Sequence, residues 1–331
     1  MSSTNIIIRR MTMYGGFPIF ICGTIGNLLN LILLWETRQN SCGLIFLYSS
    51  IINCIVLFYG LFTRILSVGF DLDWSSHNLI WCKTRVAFTQ TGFLISLTCL
   101  CLSSLDRFLS SCREEKYRKL SCLSLARISL FVISLLWLLH SIPYLISAQL
   151  LPNINTGLTS CSLIPNQAFL NYQIYVSLPI YLGAFPAGTL IITGLLTYRN
   201  LTKLQNDRQR QLIQKQLTIM MLIQIPVVLC SMLPYVVFIT YSSMTSTYPK
   251  SAYQRSVESL MTHVVTLLCY MTYACPFYVY LASSKSFREN FKQLICCRKL
   301  DFLRNNQIQP YSTNRTRTQT ATAPEPNETT L

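Results

Sequence analysis

Two sets of residues in this chain of 331 residues combine a type and a spacing that could do chemistry. Cys82 and Cys161 are thiols, which form a disulfide bond where both face an oxidising compartment. Asp106-Arg107-Phe108 sets a carboxylate beside a guanidinium, a pair that can form a salt bridge. Cys82 precedes Arg107 by 25 residues, which is about 37 Å of α-helix and enough to cross a bilayer. The sequence therefore places a disulfide candidate and an ion pair at opposite ends of one helix.

The chain lacks the residue sets that enzymes and metal centres need. Its three histidines, His77, His140 and His263, are far apart in the sequence and predict no catalytic cluster. The cysteines other than Cys82 and Cys161 do not have the spacing of a zinc site. We therefore expect neither an enzyme nor a protein that binds a metal or a cofactor.

The elements that position these residues follow from the composition. The chain is 51% hydrophobic and 12% charged, with a net charge of +15 and a mean hydropathy of +0.39. Soluble domains have about 25% charged residues. This excess of apolar side chains excludes a disordered chain and does not suit a soluble enzyme with one buried core. A bilayer is the expected solvent.

Long stretches without charged residues indicate where the chain crosses the membrane. A spanning helix needs about 20 apolar residues. The stretches are rich in Leu and Ile and lack the alternation of a membrane β-barrel, so helices are the expected solution. They are residues 11–35, 39–63, 86–105, 128–198, 216–249 and 259–284, of which 128–198 is divided into two spans by a polar, turn-forming segment at 151–167. The predicted fold class is an all-α membrane protein, a bundle of seven transmembrane helices.

The basic residues predict the orientation of the bundle. With the N-terminus outside, most of the 27 Lys and Arg residues fall in the inner loops and tail, as the positive-inside rule expects. Arg9 and Arg10 oppose this assignment, because they are basic residues on the predicted outer side. We follow the number of Lys and Arg residues summed over all loops. We expect a multi-pass plasma-membrane protein with an extracellular N-terminus (1–13), a membrane domain (14–297) and a disordered cytoplasmic tail (298–331). The charge then reflects topology and attraction to membrane lipids, and not nucleic-acid binding.

Several motifs, in order and at matching intervals, resemble the rhodopsin-like (class A) family of G-protein-coupled receptors over about residues 14–297. They are Gly26-Asn27, Asp106-Arg107-Phe108, Trp137, the prolines Pro186, Pro234 and Pro276, the segment 286–291, which resembles the short amphipathic eighth helix, and Cys296-Cys297. Within the family, the chain is divergent and most resembles invertebrate peptide-type or orphan receptors.

The resemblance implies a receptor that passes the binding of an extracellular ligand to a heterotrimeric G protein by rearranging its helices. It implies a disulfide bond between Cys82 and Cys161, which would tie an outer loop over the mouth of the bundle. It also implies that Asp106, Arg107 and Phe108 take part in G-protein coupling. The positions implied for switches or kinks are Asn27, Asn53, Pro186, Met232, Pro234 and Pro276, and those implied for lipidation are Cys296 and Cys297.

Several positions depart from the family pattern. Asn53 replaces an aspartate, so the charge that would hold a sodium ion is missing. Met232 replaces the tryptophan of the sixth span. In the seventh span, Cys275 and Val279 replace the Asn and Tyr of the Asn-Pro-x-x-Tyr motif. These changes put the usual activation relay and sodium regulation in doubt.

The resting state is expected to be weakly locked. Arg107 should pair with Asp106, because an unpaired charge near the membrane is costly. Gln214 and Lys215 occupy the region of the sixth span where many family members have a glutamate that faces the arginine. We therefore expect appreciable signalling without ligand.

The ligand site is expected at the outer mouth of the bundle. Thr89 stands where an amine receptor needs a carboxylate, so an amine ligand is not expected. Residues 259–284 contain no lysine that could bind retinal, so an opsin is not expected either. The candidate ligand-binding residues are Arg64, Arg85, Thr89, Gln90, Gln173, Glu258 and His263. Arg64 and Arg85 would hold a ligand carboxylate and Glu258 an amine, which favours a neuropeptide, although Arg64 would equally suit snorkelling to the interface.

A transporter or channel is the alternative from another functional class. Such proteins often carry internal repeats or several charges within their spans. The halves 14–148 and 169–281 are not alike, and Arg64 is the one charge expected inside the membrane apart from those at helix ends. Both observations favour the receptor.

Overall fold

The computed structural model describes residues 3–152, 159–163, 167–201, 210–246 and 248–295. Its helices are α1 Ser3–Leu34, α2 Ser41–Val56, α3 Leu79–Ser111, α4 Glu115–Arg118, α5 Leu123–His140, α6 Ile142–Ser147, α7 Gln167–Tyr172, α8 Phe185–Leu201, α9 Arg210–Met244, α10 Ala252–Ala274, α11 Pro276–Ser283 and α12 Lys285–Ile295. Its strands are β1 Ala148–Pro152 and β2 Thr159–Leu163. Short 3₁₀ helices are formed by Trp35–Gln39 and Trp74–Ser76, and π-helical turns by Leu57–Phe62, Ile65–Gly69 and Gln173–Ala184.

Seven membrane spans can be traced through the described residues. Six helical segments are long and apolar enough to cross a bilayer, and α10 with α11 form a seventh, bent by 54°. Spans one to six are Thr4–Gln39, Ser41–Gly69, Leu79–Ser111, Leu123–Ser147, Gln167–Asn200 and Gln216–Met244. The prediction of an all-α bundle of seven transmembrane helices is confirmed.

Span three is the centre of the bundle. It packs against spans two, four and five, and Trp137 Nε1 on span four donates a 3.0 Å hydrogen bond to Thr98 Oγ1 on span three. Spans one and seven approach closely at Gly23, where a Cβ would lie 2.9 Å from the Cα of Ala274. Large apolar side chains on the outer faces, such as Phe131 and Ile192, remain exposed, as expected of surfaces that face lipid.

Three spans depart from regular α-helix. Span seven breaks between Cys275 and Pro276, because a proline has no amide hydrogen to donate and its ring clashes with the preceding turn. Span five has a π-helical stretch ahead of Pro186. In span two, the π-helical turns lie on both sides of Arg64. Such wide turns often mark functional positions, since they rotate the side chains that follow.

A β-hairpin links spans four and five. Strands β1 and β2 pair antiparallel, with Cys161 opposite Leu150. A disulfide bond joins Cys161 to Cys82 near the start of α3, so the predicted bond is confirmed. The sequence predicted only a polar, turn-forming segment here and not a hairpin. We call this end of the bundle the Cys82 end and the opposite end the Arg107 end.

The chain divides into two units, Met1–Glu289 and Asn290–Leu331. In the first unit, α1 begins at Ser3, so the residues expected to precede the membrane domain are largely helical. In the second unit, the described residues are the last turns of α12, which ends at Ile295. The lipidation candidates Cys296 and Cys297 and the tail at 298–331 lie outside the described residues.

Candidate functional site

The Arg107 end holds a buried ion pair. Arg107 donates from Nε and Nη2 to Asp106 Oδ2, and the Nε contact is 3.2 Å long. Only 1% of the surface of Arg107 and 7% of that of Asp106 is exposed. The two charges compensate each other in a region that water does not reach. The pair expected from the sequence is therefore present.

Two serines from neighbouring elements hold Asp106. Ser41 at the start of α2 and Ser121 before α5 each donate a 2.7 Å hydrogen bond to Asp106 Oδ1. The carboxylate thus joins the ends of three spans. Arg107 Nη1 is buried and has no hydrogen-bond partner among the described residues. A partner that offers an acceptor at this end would meet a donor already in place.

Phe108 is half-buried at the same end. Its carbonyl oxygen accepts hydrogen bonds from Ser111 Oγ at 2.7 Å and from Cys112 Sγ at 3.3 Å. Desolvation and the nearby carboxylate of Glu114 raise the pKa of the Cys112 thiol. The thiol is therefore kept protonated, and it contributes a hydrogen bond at the end of α3.

Spans six and seven are also tied together at the Arg107 end. Tyr280 on α11 donates a 2.9 Å hydrogen bond to Gln224 Oε1 on α9. The ring of Tyr280 packs against Phe46 and Phe287. The sequence assigned Tyr280 no role, because it lies one residue past the usual tyrosine position.

A neutral hydrogen-bond chain occupies the middle of the bundle. Ser96 donates to Asn53 Oδ1 at 2.6 Å, and Asn53 donates to Asn27 Oδ1 at 3.3 Å. Asn27 in turn donates to the carbonyl oxygens of Gly23 and Tyr273 at 2.8 and 2.9 Å. The chain links spans three, two, one and seven without a carboxylate. The described residues contain no cluster of His, Cys, Asp and Glu that could hold a metal ion.

Met232 and Pro186 line one small apolar cavity among spans three, five and six. Met232 is 3% exposed, and Cys269 on span seven donates to its sulfur at 3.5 Å. The predicted switch residue therefore contacts span seven through sulfur alone. Pro234 lies inside α9, and Pro276 opens α11 after the break in span seven.

Arg64 lies near the Cys82 end of span two and is partly buried. It interacts electrostatically with Tyr270 on span seven, Tyr235 on span six and Arg85 on span three. Its Nε atom is buried and has no hydrogen-bond partner among the described residues. The partial exposure of Arg64 is compatible with both expectations from the sequence, ligand binding and snorkelling to the interface.

Gly60 lets Tyr270 approach span two one turn before Arg64. A Cβ at Gly60 would lie 2.5 Å from the Tyr270 hydroxyl and 3.1 Å from Thr89 Cγ2. Thr89 and Tyr270 therefore both approach span two at Gly60. His263 Nδ1 lies 2.9 Å from the Ser259 carbonyl oxygen, and its ring also interacts with Arg64.

Gln90 lies on the side of the bundle formed by spans four and five. The phenol of Tyr144, on the same side of the bundle, lies 3.2 Å from Ser177 Oγ. Gln90 Nε2 is buried without a partner among the described residues. Gln173 is half-buried in the same π-helical stretch of span five as Ser177.

The charges of Arg85 and Glu258 are already paired within the protein. Arg85 Nη1 donates to Ser75 Oγ at 2.7 Å and lies 3.6 Å from Asp73 Oδ1. Glu258 Oε2 lies 2.6 Å from Lys250 Nζ. The structure thus gives Arg85 and Glu258 partners within the protein, while Thr89 lies close to Gly60 and Tyr270.

The sequence did not identify the three tyrosines of this site, Tyr144, Tyr235 and Tyr270. The chain has 18 tyrosines, and no spacing among them indicated which phenols face inward.

A family model described as "7 transmembrane receptor (rhodopsin family)" matches residues 26–276 of the chain. No curated protein matches it. The matched range contains the ion pair, both cysteines of the disulfide bond and every candidate ligand-binding residue.

Proposed function

Because the chain belongs to the rhodopsin family of seven-transmembrane receptors, we propose that it carries the signal of an extracellular peptide to a cytoplasmic heterotrimeric G protein. Members of this family are multi-pass signalling receptors of the plasma membrane. That the ligand is a peptide, that the partner is a G protein and that the N-terminus is extracellular are our proposals. The Cys82 end faces outward, where a disulfide bond persists, and the Arg107 end faces the basic, cytoplasmic side.

The buried Asp106–Arg107 pair is the observation that carries the proposal. Ser41 and Ser121 hold Asp106, and through it Arg107, inside the closed end of the bundle. A ligand that binds an open arrangement better than this closed one shifts the population towards it. Opening exposes the guanidinium of Arg107, which then meets an acceptor on the G protein.

Span six is the element that moves. Its inner part, which carries Gln224, is tied to span seven by the Tyr280 hydroxyl. Pro234 provides the point about which the inner part swings, since a proline removes one helical hydrogen bond. The region around Gln214 and Lys215, whose side chains lie outside those described, supplies no glutamate for a second lock. The closed state is therefore held weakly, and signalling without ligand is appreciable.

The peptide enters from the Cys82 end, over the disulfide-bonded hairpin. Arg64, Thr89, Gln90 and His263 supply polar groups on spans two, three and seven, which suits an extended ligand with several contacts. A transporter or channel is the alternative from another class, and the family match does not favour it.

The test is a screen of a peptide library in cells that express the receptor with a promiscuous G protein. We expect at least one peptide to raise the G-protein signal, and the variant Arg107→Gln, at equal surface expression, to abolish the response. A peptide response that persists in the variant, or no response across the library, contradicts the proposal.

A further inference from the structure

We propose that Ser121, in the loop between α4 and α5, is a phosphorylation site, and that its phosphate opens the Arg107 end of the bundle. The enzyme is a serine/threonine kinase that selects basic residues before the serine, with ATP as the phosphoryl donor. The inference rests on the proposed function in one respect: the Arg107 end must face the cytosol, where ATP and kinases are found.

The residues before Ser121 fit the substrate groove of such a kinase. Arg118 and Lys119 stand three and two residues before the serine, and both are exposed, as are Leu120 and Cys122. Kinases select their substrates by charge patterns of this kind. Ser121 lies outside the spanning helices, in a turn that its amide closes with a 3.1 Å hydrogen bond to the Arg118 carbonyl oxygen. Because exposed loops open locally at low cost, this segment can enter the groove of a kinase.

Two other residues with a similar pattern are less accessible. Ser41 follows Arg38 by three residues, but it is 4% exposed and begins α2. Thr12 follows Arg9 and Arg10, but it is fully buried in α1 at the Cys82 end. Ser121 combines the basic pattern with a position in an exposed loop.

The hydroxyl of Ser121 belongs to the network that closes the Arg107 end. It donates a 2.7 Å hydrogen bond to Asp106 Oδ1 and lies 3.3 Å from Ser41 Oγ. The other carboxylate oxygen of Asp106 accepts hydrogen bonds from Arg107. Ser121 is therefore the point at which a modification of the loop reaches the buried ion pair.

Phosphorylation removes this hydrogen bond and adds a repulsion. In the transfer, the bond from the γ-phosphorus to the bridging oxygen of ATP breaks and a bond from that phosphorus to Ser121 Oγ forms. The hydroxyl proton goes to the catalytic base of the kinase, and ADP leaves. Oγ then has no hydrogen to donate to Asp106. The phosphate carries about 1.5 to 2 negative charges at pH 7, so it repels the carboxylate and the loop separates from Asp106.

Separation of the loop weakens the closed state. Among the described residues, Asp106 then keeps Ser41 as its one serine donor. The carboxylate no longer joins the start of α5 to spans two and three, and Arg107 is held less firmly through it. Opening of the Arg107 end becomes easier, and signalling without ligand rises.

The first measurement is the phosphorylation itself. Purified full-length receptor in lipid is incubated with ATP and the catalytic subunit of cyclic-AMP-dependent kinase, which selects an arginine three residues before the serine. Mass spectrometry measures phosphate on the peptide that contains Ser121. Arg118→Gln removes the basic residue and leaves the bond to Asp106 intact, and Arg113→Gln, at an exposed cation earlier in the same loop, is the matched control.

We expect phosphate on Ser121 in the wild type and in Arg113→Gln. Arg118→Gln should carry about tenfold less, because a hydrogen bond to a charged group contributes roughly this factor. No phosphate on Ser121 in the wild type, or equal amounts in the two arginine variants, overturns the proposal.

The second measurement is the opening of the Arg107 end. Cys42 follows Ser41 directly and is fully buried, so a maleimide labels its thiol when this end opens. Cys99, buried within α3, is the control for a general loosening of the bundle. Phosphorylation should raise the labelling rate of Cys42 about tenfold, as expected for the loss of a hydrogen bond to a charged group, and leave that of Cys99 unchanged.

Three results of the labelling experiment overturn the proposal. One is an unchanged rate at Cys42, and another is an equal rise at Cys99. The third is a slower rate at Cys42, which would mean that the phosphate takes the place of Asp106 beside Arg107 and keeps the end closed.

A variant of the serine assigns the effect to this site. Without kinase, Ser121→Ala should raise the labelling of Cys42 less than phosphorylation does, because it loses the hydrogen bond without gaining a charge. Kinase should then add nothing, and a further rise in this variant contradicts the assignment. If Ser121→Ala does not fold, Ser121→Thr replaces it, and its phosphorylation must raise the labelling as in the wild type. Neither measurement needs a ligand or a G protein, so this proposal and the proposed function fail separately.

Discussion

Tyr280 donates a 2.9 Å hydrogen bond to Gln224, and this bond joins spans six and seven at the Arg107 end. Both residues are only 2% exposed. Any outward movement of the inner part of span six must therefore break a buried hydrogen bond.

Removal of this hydroxyl should raise signalling without ligand. A buried hydrogen bond contributes about 1 kcal/mol, so Tyr280→Phe should shift the closed–open equilibrium towards the open state about fivefold. The measurement is ligand-free G-protein activation at matched surface expression. Tyr278→Phe is the control, because the exposed Tyr278 bonds only to the Cys22 carbonyl on span one, at 3.0 Å.

Equal basal signals in the two tyrosine variants would show that the bond does not restrain span six. A drop in basal signalling of Tyr280→Phe would show the opposite role, in which the bond favours the open state.

Sodium should not stabilise the receptor. The chain from Ser96 through Asn53 to Asn27 offers amides and a hydroxyl, and Na⁺ binds weakly where a carboxylate is missing. Thermal unfolding in sodium chloride and in choline chloride at the same ionic strength should give the same midpoint for the wild type. Asn53→Asp should become more stable in sodium than in choline. A sodium-dependent midpoint of the wild type would contradict this interpretation of the chain.

Loss of the disulfide bond should destabilise the Cys82 end. The bond closes a loop of 79 residues, and disulfides typically contribute about 2–4 kcal/mol. Cys161→Ser should therefore lower the unfolding midpoint and the surface expression. Cys230→Ser, at an exposed free cysteine in span six, is the control. An unchanged unfolding midpoint of Cys161→Ser in non-reducing conditions would show that the disulfide bond does not stabilise the Cys82 end.

Arg64 should matter more for agonist potency than Arg85. Arg64→Ala removes a guanidinium that forms no ion pair among the described residues, and it should raise the effective agonist concentration at least tenfold, about 1.4 kcal/mol. Arg85→Ala should have a smaller effect, because Ser75 and Asp73 already bind that guanidinium. The measurement is a dose–response curve with an agonist peptide from the library screen. The reverse order, or an unchanged curve for Arg64→Ala, would place the ligand carboxylate elsewhere.

The sequence was sufficient to predict the features that are determined by the positions of charged residues and by distances along the chain. Gaps between charges predicted the seven spans, because a charge in lipid is costly whatever the packing. The distance of Cys82 from Arg107 placed them at opposite ends, and the adjacency of Asp106 and Arg107 predicted their ion pair. These features do not depend on how each helix is rotated.

The features that the sequence could not predict depend on how each helix is rotated about its own axis. The π-helical turns around Arg64 have no signature in the apolar pattern, so the meeting of Arg64 with Tyr235 and Tyr270 could not be anticipated. The hairpin strands are too short to show alternation. Glu258 was expected to meet a ligand amine, but Lys250, eight residues earlier, folds back onto it.

Nucleotide loading of a purified heterotrimeric G protein tests the central claim most directly. The wild-type receptor, reconstituted in lipid without ligand, should accelerate GTP uptake several-fold over the G protein alone, because its closed state is weakly held. Arg107→Gln, folded and at equal amount, should give the rate of the G protein alone. No acceleration by the wild type with or without an agonist, or equal acceleration by Arg107→Gln, would contradict a receptor that couples through the Arg107 end.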